Sequence, residues 1–138
     1  MSVIRVYLPG RAADLSTLVT ARQVDITGRI AYAVTPDLIA STPRADRDER
    51  EHVAFSEAVG LAADLADGTR SLVIAADVPE VDATQRGALT VELTGVLQLR
   101  QIASFHVGED DGDSEPDMLW YDATELASVQ ALLVAGSH

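Results

Sequence analysis

Residues 72–76 have the sequence Leu-Val-Ile-Ala-Ala, an apolar run that no polar residue interrupts. A strand with one wet face alternates apolar and polar residues, whereas a strand that is covered on both faces does not. The run therefore predicts a buried strand with other elements packed against each of its faces. This prediction places a sheet at the centre of the fold.

The rest of the chain supplies further strands and helices on either side of that run. Alternating or β-branched stretches predict strands at 3–8, 29–34, 88–93, 104–107 and 118–121. Apolar residues at helical spacing predict helices after Gly10, from Asp46 to the Asp67-Gly68 stop, and after Asp122, with a short one at 36–40. Asp46 and Asp122 are each followed three residues later by a glutamate, which is typical of a helix start.

These elements have the order β-α-β-α-α-β-β-(α)-β-β-α, in which the bracketed helical turn lies within 96–103. The predicted fold class is α/β (α+β-like), with one mixed β-sheet of five or six strands and helices packed on it. We expect residues 1–138 to form a single globular domain. The amino-terminal residues have no basic segment followed by an apolar stretch, so we expect a cytoplasmic protein.

The composition excludes several chemistries. The chain has no cysteine and no lysine, which rules out thiolate metal sites, cysteine nucleophiles, a Walker A lysine and a Schiff-base lysine. Twenty-two acids against ten arginines give a net charge of −12, which argues against nucleic acids and anionic membranes as partners. Neither a G-x-G nor a G-x-S-x-G pattern occurs. We predict no cofactor and no metal site.

The sharpest charge feature lies near the carboxyl end of the chain. Residues 109–125 contain eight acids, and no arginine follows Arg100. We expect a solvated acidic surface loop at 108–117, since repulsion keeps such a run extended. Calcium is the alternative ligand, but the spacing does not match an EF-hand: with Gly112 at position 6, position 1 would be Val107, whose side chain cannot bind an ion.

Three polar residues lie at the ends of predicted strands and form a candidate ligand site. Asp77 follows the buried run, His106 ends a short strand, and Asp122 ends the last strand. Ligands gather at the carboxyl ends of strands in open α/β sheets, so the three could bind a divalent cation or perform acid–base chemistry. Each also has a structural interpretation: Asp77 as part of a turn, His106 bonded to the backbone, and Asp122 as a helix cap.

Trp120 and Tyr121 form the second candidate site. Trp120 is the only tryptophan of the chain, and adjacent residues of a strand face opposite ways. One ring can therefore fill the core while the other lies near the surface. Trp120 is expected either to anchor the last strand in the core or to form an aromatic wall for a ligand or partner.

Five short motifs are spread over most of the chain. They are Arg5-Val6-Tyr7-Leu8-Pro9, Ala33-Val34-Thr35-Pro36, Ala75-Ala76-Asp77-Val78-Pro79, His106-Val107, and Leu119-Trp120-Tyr121 with Glu125-Leu126. In these motifs the chain resembles a family of small uncharacterised actinobacterial proteins that are grouped as a domain of unknown function. The resemblance implies one full-length domain and no particular activity.

Two functions remain open at this level. The first is a non-enzymatic protein-interaction module that binds a basic protein partner through the acidic loop and the neighbourhood of Trp120 and Tyr121. The second is a small metal-dependent or acid–base enzyme that uses Asp77, His106 and Asp122. The second function requires those three side chains to share one cleft.

Overall fold

The computed structural model describes residues 2–66, 70–108 and 118–135, which form nine strands and four α-helices. The strands are β1 (Val3–Gly10), β2 (Gln23–Asp25), β3 (Ile30–Ala33), β4 (Leu72–Pro79), β5 (Ala83–Gln85), β6 (Thr90–Leu93), β7 (Val96–Gln98), β8 (Ile102–Gly108) and β9 (Met118–Asp122). The helices are α1 (Ala12–Ala21), α2 (Pro36–Ser41), α3 (Arg47–Leu65) and α4 (Leu126–Ala135).

Seven of the strands form one sheet in the order β5-β6-β3-β1-β4-β8-β9. Every strand pair among the described residues is antiparallel, so the sheet is not the mixed sheet that the element order predicts. Strands β2 and β7 pair separately as a two-stranded sheet. The general α+β prediction is confirmed, but the strands outnumber the five or six expected.

The apolar run of β4 explains how the helices are arranged. Leu72 and Ile74 point to one face of the sheet, where they join the core that includes Leu15 and Leu18 of α1 and Leu133 of α4. The alternate residues of β4 point to the other face, where they meet the alanines of α3. Both faces of β4 are thus covered, as the uninterrupted run predicts.

Helix α3 approaches the sheet with small side chains. Ala54, Ala58 and Ala62 recur every fourth residue and are fully buried against Val73 and Ala75. The side chain of Asp46 starts the helix by accepting a hydrogen bond from the Glu49 N–H at 2.8 Å, as predicted. Helix α3 therefore packs closely on β4 through small side chains, unlike the leucines on the opposite face.

Three short strands differ from the sequence prediction. Strands β2, β5 and β7 have three residues each, too few for a periodic pattern to show. The helical turn predicted within 96–103 is present as a short 3₁₀ turn at Leu99–Gln101, which lies between β7 and β8. The turn ends at Gln101, because Ile102 begins β8 and pairs with Ala76 of β4.

The acidic loop predicted at 108–117 falls almost wholly outside the described residues. Gly108 is the last residue of β8 rather than the first of the loop, and its N–H donates to the Ser71 carbonyl at 2.9 Å. Residues 109–117 are not described.

Candidate functional site

Strand register brings polar and aromatic residues together on the face of the sheet that α3 covers. His106 of β8 lies opposite Val73 of β4 and opposite Trp120 of β9. Ser104 of β8 lies opposite Ala75 and Asp122. Because side chains alternate along a strand, these residues share the face on which Val73 and Ala75 meet α3.

The side chains line a cleft of about 410 Å³ between α3 and the sheet. Helix α3 contributes three polar residues and one aromatic residue: Asp48, Glu51, His52 and Phe55. The strands contribute Arg5, Tyr7, Ala75, Ser104, His106, Met118 and Trp120. We call this space the α3 cleft. It lies beside the edge of the sheet, since β9 is the last strand in the sheet order.

Aromatic rings stack edge to face along the floor of the α3 cleft. The Tyr7 and Phe55 ring centroids are 5.7 Å apart, and those of Phe55 and His106 are 4.8 Å apart. Burial, and after it the charge of Glu51, raises the pKa of Tyr7. Trp120 stands at the open side with 62% of its surface exposed. The expectation that it anchors the last strand in the core is therefore wrong.

Tyr121, rather than Trp120, is the ring that packs against the core. It packs, partly buried, against the apolar core on the α1 and α4 side of the sheet. The two adjacent rings do face opposite ways, but the smaller one is directed inward. Tyr121 thus does not belong to the α3 cleft.

Ser104 and His106 form a hydrogen-bonded pair inside the cleft. The Ser104 Oγ and His106 Nε2 atoms are 2.9 Å apart, and Ser104 is only 6% exposed. Burial, and after it the charge of Arg5, lowers the pKa of His106 from 6.5 to about 4. A general base acts best when its pKa lies near the working pH. A neutral His106 at pH 7 is therefore a hydrogen-bonding group and a weak base.

Asp77 is held by an arginine rather than by His106. Arg5 Nε donates to Asp77 Oδ1 at 2.7 Å, and a second guanidinium nitrogen donates to Oδ2 at 3.0 Å. This bidentate bond is the main cause of the raised pKa of Arg5. Asp77 lies within β4, not at its end, and is four residues from Val73, the partner of His106. That separation is roughly 13 Å along the strand.

Asp122 caps the turn that precedes α4, as its structural interpretation predicts. Its Oδ1 accepts a hydrogen bond from the Thr124 N–H at 3.2 Å, and its own N–H donates to Glu125 at 2.9 Å. Neither Asp77 nor Asp122 lines the cleft. In residues 2–66, 70–108 and 118–135, no group of three or more histidines and acids is placed to hold a metal ion. Of the three predicted residues, only His106 lies in the cleft itself.

Most of the residues that line the cleft were not predicted from the sequence. Arg5 carried a usable signal: it interrupts the apolar strand β1, and Asp77 interrupts β4 in the same way. Isolated opposite charges in two strands that are otherwise apolar favour a cross-strand pair. Asp48, Glu51 and Phe55 gave no such signal, because the position of α3 on the sheet depends on tertiary packing.

Comparison with family models matches residues 4–116 of the chain to a family of unknown function (DUF6912). The chain belongs to this family. The DUF6912 match includes α3, β4, β8 and all of β1 except Val3, which form the floor and one wall of the α3 cleft, and it ends before Trp120. The resemblance predicted from the five motifs is confirmed at the level of a family of unknown function.

No curated protein and no solved structure matches the chain. Among the described residues of this DUF6912 member, none of the helices is both long enough and apolar enough to cross a membrane.

Proposed function

We propose that this DUF6912 member is a non-enzymatic protein-interaction module whose partner contributes a basic, extended segment. The segment binds along β9 and directs a cationic side chain into the α3 cleft beside Trp120. The observation that carries this proposal is the exposure of Trp120, the only tryptophan of the chain, on an edge strand. Tryptophan is enriched among the residues that anchor protein interfaces once a partner covers it.

The edge of the sheet supports a strand-like partner. Strand β9 pairs with β8 on one side, and no other strand in the described part of the chain pairs with its outer edge. Leu119 and Trp120 leave apolar surface on both faces of this edge. An apolar, unpaired edge of this length is a template for strand addition, in which backbone hydrogen bonds supply affinity and side-chain pockets supply specificity.

The charges near this edge favour a basic partner. Asp48 lines the cleft and forms no ion pair with any described basic residue. Arg5, which lines the same cleft, is paired with Asp77, and Arg47, which is adjacent to Asp48 in the chain, is paired with Glu51. Six acids in residues 109–117 directly precede β9 in the sequence. Such an asymmetry accelerates the encounter with a basic segment, and aromatic faces attract a cation.

A peptide that alternates arginine and valine is the direct probe, because it matches the edge in charge and periodicity. Because Trp120 is the only tryptophan, its fluorescence should shift as the peptide binds. We expect Kd to rise at least about tenfold between about 50 and about 300 mM salt, as exposed charges are screened. An acidic peptide that alternates glutamate and valine is the charge control.

Two variants locate the binding. Trp120→Ser should weaken binding of a dye-labelled peptide, measured by polarisation, at least about tenfold. Val81→Ser is the matched control, because Val81 is a highly exposed apolar residue away from β9. Equal binding of the acidic and basic peptides, or no loss in Trp120→Ser, would contradict the proposal.

The enzymatic function stays a prediction with less support. Asp77 is bound to Arg5, Asp122 caps a turn, and the pKa of His106, about 4, makes it a weak base at neutral pH.

A further inference from the structure

A second cavity lies at one end of the α1 and α4 layer, on the other side of the sheet from the α3 cleft. Its volume is about 610 Å³, which is within the ordinary range for small-molecule sites. Val19 of α1, Ile102 of β8 and Leu126 of α4 form its apolar wall. A neighbouring hollow of about 510 Å³ shares Arg22, Leu99 and Arg100 with it. We call the two together the arginine cavity.

Arg22 and Arg100 give this cavity a positive charge. No described aspartate or glutamate lines it, and neither arginine forms an ion pair with a described acid. Arg100 donates to the side chain of Gln98. In a chain with 22 acids and ten arginines, two arginines that line one cavity with no described acid beside them are a local concentration of positive charge. Two guanidinium groups at one cavity, neither of them in an ion pair with a described acid, therefore indicate a site for negative charge.

The backbone of Arg22 strengthens this interpretation. Arg22 has φ 61° and is the only residue other than glycine with a positive φ in the described part of the chain. The position directly after a helix in this conformation is one at which glycine is preferred and a side chain is strained. The Arg22 N–H donates to the Leu18 carbonyl at 2.9 Å, and its own carbonyl accepts from the Leu99 N–H at 2.9 Å. These bonds hold Arg22 beside the segment that carries Arg100.

We propose that the arginine cavity binds a small organic anion with an apolar body. The anionic head, a carboxylate or a phosphate monoester, is held by the guanidinium groups of Arg22 and Arg100, which can donate to its oxygens in pairs. The apolar body lies against Val19, Ile102 and Leu126. Apolar walls with a few convergent polar groups are what ligand sites of this size require.

Octanoate and octyl phosphate are the probes, because each joins one of the two heads to the same apolar body. Below their micelle concentrations, at least one of them should bind saturably by calorimetry and raise the melting temperature of the full chain with the logarithm of its concentration. The probe that binds more tightly shows whether the site prefers a carboxylate or a phosphate head group. Octanol lacks the charge, and acetate and inorganic phosphate lack the body, so we expect each to bind at least about tenfold more weakly.

Arg22→Gly separates a binding role from a structural one. Glycine relieves the strained backbone, so this variant should melt at the same temperature as the wild type or higher, while Kd for the better probe rises at least about tenfold. Arg100→Gln should weaken binding similarly. Arg44→Gln is the matched control, since it removes the same charge from an exposed position outside the cavity.

Three results would overturn the proposal: unchanged affinity in both cavity variants, equal binding of octanol, or no saturable binding of either probe. Trp120 does not line the arginine cavity, so Trp120→Ser should leave binding of the anion unchanged. This separates the outcome from that of the peptide experiment.

Discussion

Phe105 and His106 are neighbours on β8, yet they belong to two different environments. Phe105 points to the α1 and α4 face and is fully buried among leucines and valines. His106 points to the α3 face, where its ring contacts Phe55 and its Nε2 is bonded to Ser104. One face of the sheet therefore holds the main apolar core, and the other holds a polar cleft. A single strand serves both because its side chains alternate.

The difference between the two faces follows from the side chains that the helices bring. Leu15, Leu18 and Leu133 fill the space under α1 and α4. Helix α3 brings Ala54, Ala58 and Ala62, which allow close approach but fill little volume. Apolar surface supplies most of the stabilisation on folding, so we expect the α1 and α4 face to dominate stability. The α3 face retains space and polar groups that stability does not require.

The largest expected effect comes from truncating the side chains of the two neighbours, Phe105 and His106. Phe105→Ala should reduce the free energy of unfolding by about 3–5 kcal/mol, because it removes a buried ring and leaves a cavity. His106→Ala should cost about 1–2 kcal/mol, since it removes a half-buried ring and the net value of one hydrogen bond. Urea denaturation of both variants gives the two values. Equal losses would mean that the faces contribute alike.

The pH dependence of stability gives a smaller effect that belongs to the α3 face alone. The pKa of His106 is about 4 in the folded chain, against 6.5 ordinarily, so the unfolded chain binds the proton more readily. Stability should therefore fall as the pH is lowered from about 7 towards 4. We expect a smaller change than for Phe105→Ala, because the half-buried ring keeps some contact with water.

Replacement of His106 tests the sign of that effect. The free energy of unfolding at pH 7, 6 and 5 should fall more steeply in the wild type than in His106→Gln. His52→Gln is the matched control, since His52 is an exposed histidine at the same cleft. A slope that His106→Gln leaves unchanged would show that His106 keeps its ordinary pKa.

The smallest expected effect concerns the Arg5–Asp77 pair. Its side chains are 38% and 42% exposed, so water screens the attraction. A double-mutant cycle with Arg5→Met and Asp77→Asn should give a coupling free energy of about 1 kcal/mol or less. The Arg86–Glu92 pair is the control: it has one contact at 3.2 Å and should give a lower value. Coupling of several kcal/mol would mean that the α3 face is closed to water.

The sequence predicted elements well where a single segment carried the signal. The run at 72–76 predicted a strand covered on both faces, and Asp46 predicted the start of α3. Prediction from the sequence failed where an element forms only by pairing between two distant segments. Strands β2 and β7 exist because Gln23 pairs with Gln98 and Asp25 with Val96, and neither segment is periodic by itself. Short strands of this kind are fixed by their partners.

The candidate site shows the same limit. His106 and Trp120 were singled out from the sequence, and they lie opposite each other on adjacent strands. Asp77 was singled out for the wrong reason, because the strand-end rule applies to parallel sheets and this sheet is antiparallel. Strand register places Ser104 and Arg5 in the cleft. That register cannot be read from the sequence when the paired strands are short and far apart in the chain.

The sequence by itself determined the charge of this protein, the chemistries that its missing cysteines and lysines exclude, and the strand that has two covered faces. Those properties are local or additive, so composition and periodicity are sufficient to read them. Only the tertiary structure decided which ring of Trp120 and Tyr121 faces water, which carboxylate Arg5 holds, and that Arg22 and Arg100 share a cavity. Each of these depends on strand register and helix placement, and both are set by packing between residues that are distant in the chain.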